Sequence, residues 1–130
     1  CEGEPIKCSK TSDVLKSLLA TGFSYKQDKK WDLNMLLFKK LTRESQGVRR
    51  FGSAALDICY VADGRLDGFW EFNLQPWDTA AGILIAKEAG CVTTNIKGDG
   101  FDIFQDNILV SNGHLHAELI KIISNVKTDF

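Results

Sequence analysis

The sequence predicts an α/β domain with a mixed, mostly parallel sheet flanked by helices. Strand-like and helix-like segments alternate along the chain. Leu66 to Leu74 carries aromatic residues on both faces, as expected of a strand covered on both sides. The segment after Pro76 is apolar nearly all round until Lys87 and Glu88, which implies a helix sandwiched between other layers. At 130 residues with 44% hydrophobic content, residues 1–130 make one domain able to bury a real core.

Taken in order, Pro5-Ile6-Lys7-Cys8-Ser9 alternates like a short strand. Ser12-Asp13 then caps a helix whose Val14, Leu15, Leu18 and Leu19 share one face, with Gly22 as its end. Asp28 to Lys30 reads as a polar turn. A second helix covers Asp32 to about Arg43, with Leu33, Leu37 and Leu41 four apart, and Ser45-Gln46-Gly47 stops it. Val48 to Phe51 is a short strand, and Gly52 leads directly into a helix from Ser53 to about Ala62. Ala54, Ile58, Val61 and Ala62 line one face of that helix, and Gly64 closes it. The strand at Leu66–Leu74 and the helix from Pro76 to a left-handed cap at Gly90 follow. Cys91 to Asn95 and Ile108 to Val110 are further strands around a Gly/Asp-rich loop at 97–102. A last helix from about Leu115 to Val126 packs through Leu119, Ile122, Ile123 and Val126.

Composition narrows the function classes. A net charge of −1, from 16 basic and 17 acidic residues, gives no electrostatic footprint for nucleic acid. The longest strongly apolar run, Ala80 to Ala86, is too short to span a bilayer, and no charged-then-apolar leader opens the sequence. A soluble, cytoplasmic protein without membrane contact is the expectation. Cys1, Cys8, Cys59 and Cys91 lack C-x-x-C spacing and read as buried free thiols rather than disulfides or zinc ligands. A start at Cys1 in place of methionine is expected of a piece of a longer protein.

The chemistry concentrates between Gly52 and Gly90. Asp78 stands where the chain turns from strand into helix, a place that suits an ordinary N-cap and equally a rigidly held carboxylate for a hard cation such as Mg²⁺, with Trp77 shielding one side. Glu71 lies between Trp70 and Phe72 on a strand that otherwise reads as buried, so it needs either a salt bridge, with Arg49, Arg50 or Arg65, or a ligand. Two acceptor oxygens there could hold the hydroxyls of a polyol. Gly52, Ser53 and Ala54 supply complementary donors: free N–H groups at a helix start, a hydroxyl, and no bulky side chain. Taken singly they are only a good helix start. His114 and His116 lack the spacing of a helical metal pair and read as surface residues.

Gly-Ser-Ala-Ala-Leu-Asp at 52–57, Val-Ala-Asp-Gly-Arg-Leu-Asp-Gly-Phe-Trp-Glu at 61–71, and Pro-Trp-Asp-Thr-Ala-Ala-Gly at 76–82 with the following Glu-Ala-Gly resemble the C-terminal half of the inositol monophosphatase family. The likeness extends through Leu18 to Phe23 and Gly47 to Arg50, and on to the final helix. It implies the C-terminal half of a layered α/β/α/β/α sugar-phosphatase fold, in an enzyme that is usually a homodimer and hydrolyses phosphomonoesters with Mg²⁺. By that resemblance Asp78 matches a metal ligand, and Gly52, Ser53, Ala54 and Glu71 match inositol-binding groups. The implied substrate is inositol phosphate. The alternatives are a fructose bisphosphate, histidinol phosphate or 3′-phosphonucleotide, or a chain that serves only as a dimerisation or docking module.

The family's Asp-Pro-x-Asp-Gly-Thr metal motif, and the glutamate that activates water, have no counterpart in these residues. No catalytic residue is therefore expected here. A lone carboxylate holds Mg²⁺ weakly, because that ion gives up water reluctantly. The isolated chain is expected not to turn over without the N-terminal, metal-binding half as its partner.

Overall fold

A computed structural model describes Gly3, residues 5–24 and residues 26–126. Its strands are β1 (Leu18–Thr21), β2 (Gly47–Arg49), β3 (Gly68–Phe72), β4 (Val92–Thr94) and β5 (Asn107–Ser111). Its helices are α1 (Lys29–Glu44), α2 (Ala54–Ala62), α3 (Pro76–Glu88) and α4 (His116–Ser124). The strands form one mixed sheet in the order β2-β1-β3-β5-β4. β1 runs parallel to both β2 and β3, while β5 runs antiparallel to β3 and β4. The expected mixed α/β architecture stands, but the sheet is not mostly parallel: two strand pairs are parallel and two antiparallel, because β5 enters between β3 and β4 against both.

Strand alternation sorts the core onto two sides of this sheet. Ala20, Phe69 and Val110 pack with Ile58, Val61, Ile83 and Ala86 of α2 and α3. Their neighbours Leu19, Trp70 and Leu109 pack with Leu37 and Leu41 of α1 and with Leu119 and Ile123 of α4. Two aromatic residues of β3, Phe69 and Trp70, are thus both fully covered, on opposite faces. Each is worth roughly 1.5–3 kcal/mol of burial. The indole N–H of Trp70 donates to Asn34 Oδ1 at 2.5 Å, so α1 satisfies the one polar atom that this burial strands.

Two expected elements differ. Leu18 to Thr21 is the β1 strand, and only Val14–Lys16 forms a turn of 3-10 helix before it. The buried Ser17 ends that turn, its hydroxyl donating to the Val14 carbonyl at 2.7 Å. Pairing on both edges then satisfies the backbone of Leu18 to Thr21 inside the sheet, where an apolar run of that length fits either conformation by pattern alone. Pro5 to Ser9 forms no strand. It lies beside the end of α3, with one backbone bond from Cys8 N–H to the Ala89 carbonyl at 3.2 Å. In addition, α1 begins at Lys29, because Asp28 caps it by accepting from Trp31 N–H at 3.0 Å. The polar turn is therefore the helix start.

Candidate functional site

The parallel part of the sheet decides where a ligand can sit. The chain leaves β1 through α1 on one face of the sheet and reaches β3 through α2 on the other, so the crossovers diverge on either side of β1. Such a divergence opens a crevice beyond the carboxyl ends of the strands. A cleft of about 810 Å³ lies there. Gly22, Phe23 and Ser24 follow β1, Arg50 and Gly52 to Ala55 follow β2, Glu71 and Asn73 close β3, and Trp77 and Asp78 open α3. Gly52, Ser53, Ala54, Glu71 and Asp78, the residues singled out in the sequence, all line this one cleft.

Glu71 has the same parity on β3 as Phe69, which directs it to the α2/α3 side. Thr21 pairs with Trp70, so the next residue, Gly22, comes against Glu71. A Cβ at Gly22 would overlap the Glu71 carboxyl. No ion pair to Arg49, Arg50 or Arg65 is found for Glu71 among the described residues, and Arg65 pairs instead with Asp63 at 2.9 Å. Burial, followed by the charges of Asp57 and Asp78, pushes the Glu71 carboxyl up to about 7. The salt-bridge explanation of Glu71 is thereby removed.

Asp78 is the third residue of α3, with Gln75 at the cap, so it is not itself the N-cap. Its Oδ2 accepts from Gln75 N–H at 2.8 Å, which leaves Oδ1 without a protein partner among the described residues. Trp77 is 77% exposed and lines the cleft without burying its neighbour. The expected shielding is absent, and the carboxylate meets solvent. Ser53 caps α2 through its hydroxyl, which accepts from Leu56 N–H at 3.3 Å. Gly52 has φ of +88° with open space where a Cβ would stand, so the backbone turns sharply at the cleft wall without a side chain in it.

Three features in or behind the cleft go beyond the sequence reading, in which Arg50 figures only as a possible ion-pair partner of Glu71. Asn73 adopts φ of +59° and donates to Ser24 Oγ at 3.1 Å, tying the ends of β3 and β1 together. Arg50 lies over the Phe23 ring, with its guanidinium carbon 4.5 Å from the centroid. Asp57 of α2 is wholly buried, neither carboxyl oxygen has a partner among the described residues, and burial raises it to about 7. In the sequence it is only the last letter of the Gly-Ser-Ala-Ala-Leu-Asp run, with nothing local to mark it as buried.

No group of three or more His, Cys, Asp or Glu side chains able to hold a metal occurs among the described residues. Asp78 fits Mg²⁺ only as one anionic oxygen of a larger shell. Of the histidines, His114 is exposed, whereas His116 is buried, contrary to expectation. Its Nδ1 lies 2.7 Å from Ser111 Oγ and its Nε2 2.8 Å from Thr94 Oγ1, and burial lowers it to about 4. A neutral ring thus fastens α4 to β4 and β5. Cys8, Cys59 and Cys91 are free thiols, Cys91 buried and the others half-buried, while Cys1 lies outside the described residues. No helix among the described residues is long and apolar enough to cross a membrane.

The inositol monophosphatase family matches residues 1–128. A chloroplastic phosphatase of Arabidopsis thaliana is 49% identical over 95% of this chain and 33% of its own length. An inositol-1-monophosphatase of Synechocystis sp. is 47% identical over 92% of this chain and 42% of its own. The solved inositol monophosphatase of Anabaena (Nostoc) sp. superimposes with a TM-score of 0.92 at 44% identity, covering 97% of this chain and 50% of that one. The chain therefore spans one third to one half of these relatives.

Proposed function

This chain belongs to the inositol monophosphatase family, and on that premise we propose that it is the polyol-binding half of a Mg²⁺-dependent phosphomonoesterase acting on inositol phosphate. The observation that carries the proposal is the convergence of Gly52–Ala54, Glu71 and Asp78 on one cleft at the ends of three parallel strands.

Each group has a role that follows from its surroundings. The N–H groups of Ala54 and Ala55 at the start of α2 have no helical acceptors and line the cleft, where Gly52 leaves the wall without a side chain, so they donate to substrate oxygens. Glu71, ionised above its raised pKa of about 7, accepts from polyol hydroxyls and orients the leaving alcohol. Asp78 is held rigid by the Gln75 N–H and offers its free Oδ1 to the cation. Bound there, Mg²⁺ supplies Lewis acidity that neutralises phosphate charge and lowers the pKa of coordinated water. This chain contributes one ligand to that ion. The others, and the water-activating carboxylate, belong to the N-terminal half proposed as its partner.

The test is phosphate release from inositol 1-phosphate with Mg²⁺, first by this chain and then after it is mixed with the metal-binding half. Turnover only on mixing supports the reading. Absence of turnover in both, with binding of the two halves retained, overturns it in favour of an interaction module.

A further inference from the structure

Residues 5–11 cross the end of the sheet opposite the cleft, at the start of β3 and the end of β5, and several contacts fix their path. The Lys7 carbonyl packs on Gly64, where a Cβ would come within 3.1 Å of it. Ser9 Oγ donates to Asp67 Oδ1 at 2.5 Å. Asn112 Nδ2 donates to Ser9 Oγ at 2.8 Å and to the Thr11 carbonyl at 3.0 Å. Between Lys7 and Ser9, the N–H of Cys8 donates to the Ala89 carbonyl at 3.2 Å. That bond sets the Cys8 side chain against the turn that ends α3, with its Sγ 3.9 Å from where a Cβ of Gly90 would stand. The next residue is Cys91, buried in the core cluster that Cys8 packs against. The two thiols meet there. Burial, then the Cys8 sulfur beside it and the hydrogen bond between them, push the Cys91 thiol up to about 12.

We infer that Cys8 and Cys91 form a modification site, a dithiol that closes reversibly to a disulfide and staples residues 5–11 to the end of α3. Both are free thiols in this structure, Cys8 half-buried and Cys91 buried. Their contact meets the first condition for such a bond, that the two side chains point at each other. The more accessible Cys8 attacks first. As a thiolate it displaces one thiolate from a low-molecular-weight disulfide, and that leaving group takes up the proton Cys8 gave. Burial keeps Cys91 protonated until its sulfur attacks Cys8 Sγ in the mixed disulfide, and the second leaving thiol carries the Cys91 proton away. The protein loses two electrons and two protons, and the small disulfide becomes two thiols. The loop so closed contains every residue that lines the cleft, so the bond constrains the unfolded chain without touching the site. The inference stands apart from the polyol reading of that cleft.

The experiment exposes the full chain to oxidised glutathione, alkylates the remaining thiols, digests with trypsin and maps linked peptides by mass. Cys1, Cys8, Cys59 and Cys91 fall in four different tryptic peptides, so each pairing is distinguishable. A link between residues 8–10 and residues 88–97 of one chain is expected, reversed by excess reduced glutathione. The linked chain should melt higher by roughly 10 °C. Cys8→Ser and Cys91→Ser should each lose the link and the rise in Tm, while Cys59→Ser should keep both. The wild-type map decides the question even if a serine variant fails to fold. Absence of that link, a link made only through Cys1 or Cys59 or between two chains, or a Tm that the bond leaves unchanged or lowers, overturns the assignment.

Discussion

Asp57 is buried with both carboxyl oxygens unpartnered among the described residues, so its charged form is disfavoured and burial raises it to about 7 from the ordinary 3.8. Below the ordinary value, folded and unfolded chains are both protonated. As pH rises towards 7, the unfolded chain releases the proton that the folded chain still holds, and stability falls until the folded carboxyl has ionised too. Glu71, raised to about 7, adds to the same slope. Asp57→Asn should therefore flatten the loss between about pH 4 and pH 7 and stabilise the chain at pH 8 by on the order of 1–3 kcal/mol, as read by urea unfolding. An unchanged slope contradicts the assignment. Gly22→Ala should displace the Glu71 carboxyl, weakening inositol phosphate binding roughly tenfold while unfolding shifts by less than about 1 kcal/mol. Glu71 was legible because an acid between aromatic residues on a strand demands an explanation. Gly22 was read only as a helix stop, since its contact with Glu71 comes from the pairing of β1 with β3 across 49 residues, as between Thr21 and Trp70.

At the level of elements, α2 and α3 form the frame that holds the cleft. Gly82 of α3 faces Ile58 of α2, and a Cβ there would sit 3.1 Å from Ile58 Cβ and Cγ2. Gly82→Val should force the helices apart at a cost of about 1–3 kcal/mol, seen as a lowered Tm. Ser53→Ala should cost about 1 kcal/mol through the lost cap of α2. Both helices were legible because their signals are local: a serine cap, Pro76 in the first turn, and glycines at the ends. Leu18 to Thr21 was not legible as a strand. Four residues of Leu-Leu-Ala-Thr suit either conformation, and the choice was made by β2 and β3 closing on both edges. Pro5 to Ser9 alternates like a strand but finds no strand edge.

Seen as a whole, the molecule carries a covered core and an uncovered apolar face. Leu56 on α2 is 45% exposed, and Trp77 and Leu84 on α3 are 77% and 63% exposed. The sequence signal for this was α3 being apolar nearly all round, and the layer proposed to cover it is the N-terminal half. Leu84→Glu should therefore block recovery of activity on mixing, while its own unfolding changes by less than about 1 kcal/mol. The central claim is that one cleft divides its labour, Asp78 holding the ion and Glu71 the alcohol. Steady-state kinetics of the mixed halves test this most directly, with Mg²⁺ and inositol 1-phosphate varied independently for Asp78→Asn and Glu71→Gln. The account predicts that Asp78→Asn raises the Mg²⁺ requirement and lowers kcat by on the order of 100-fold, while Glu71→Gln raises KM roughly tenfold with the Mg²⁺ requirement unchanged. Identical changes in both parameters for the two variants, or none in either, would contradict it.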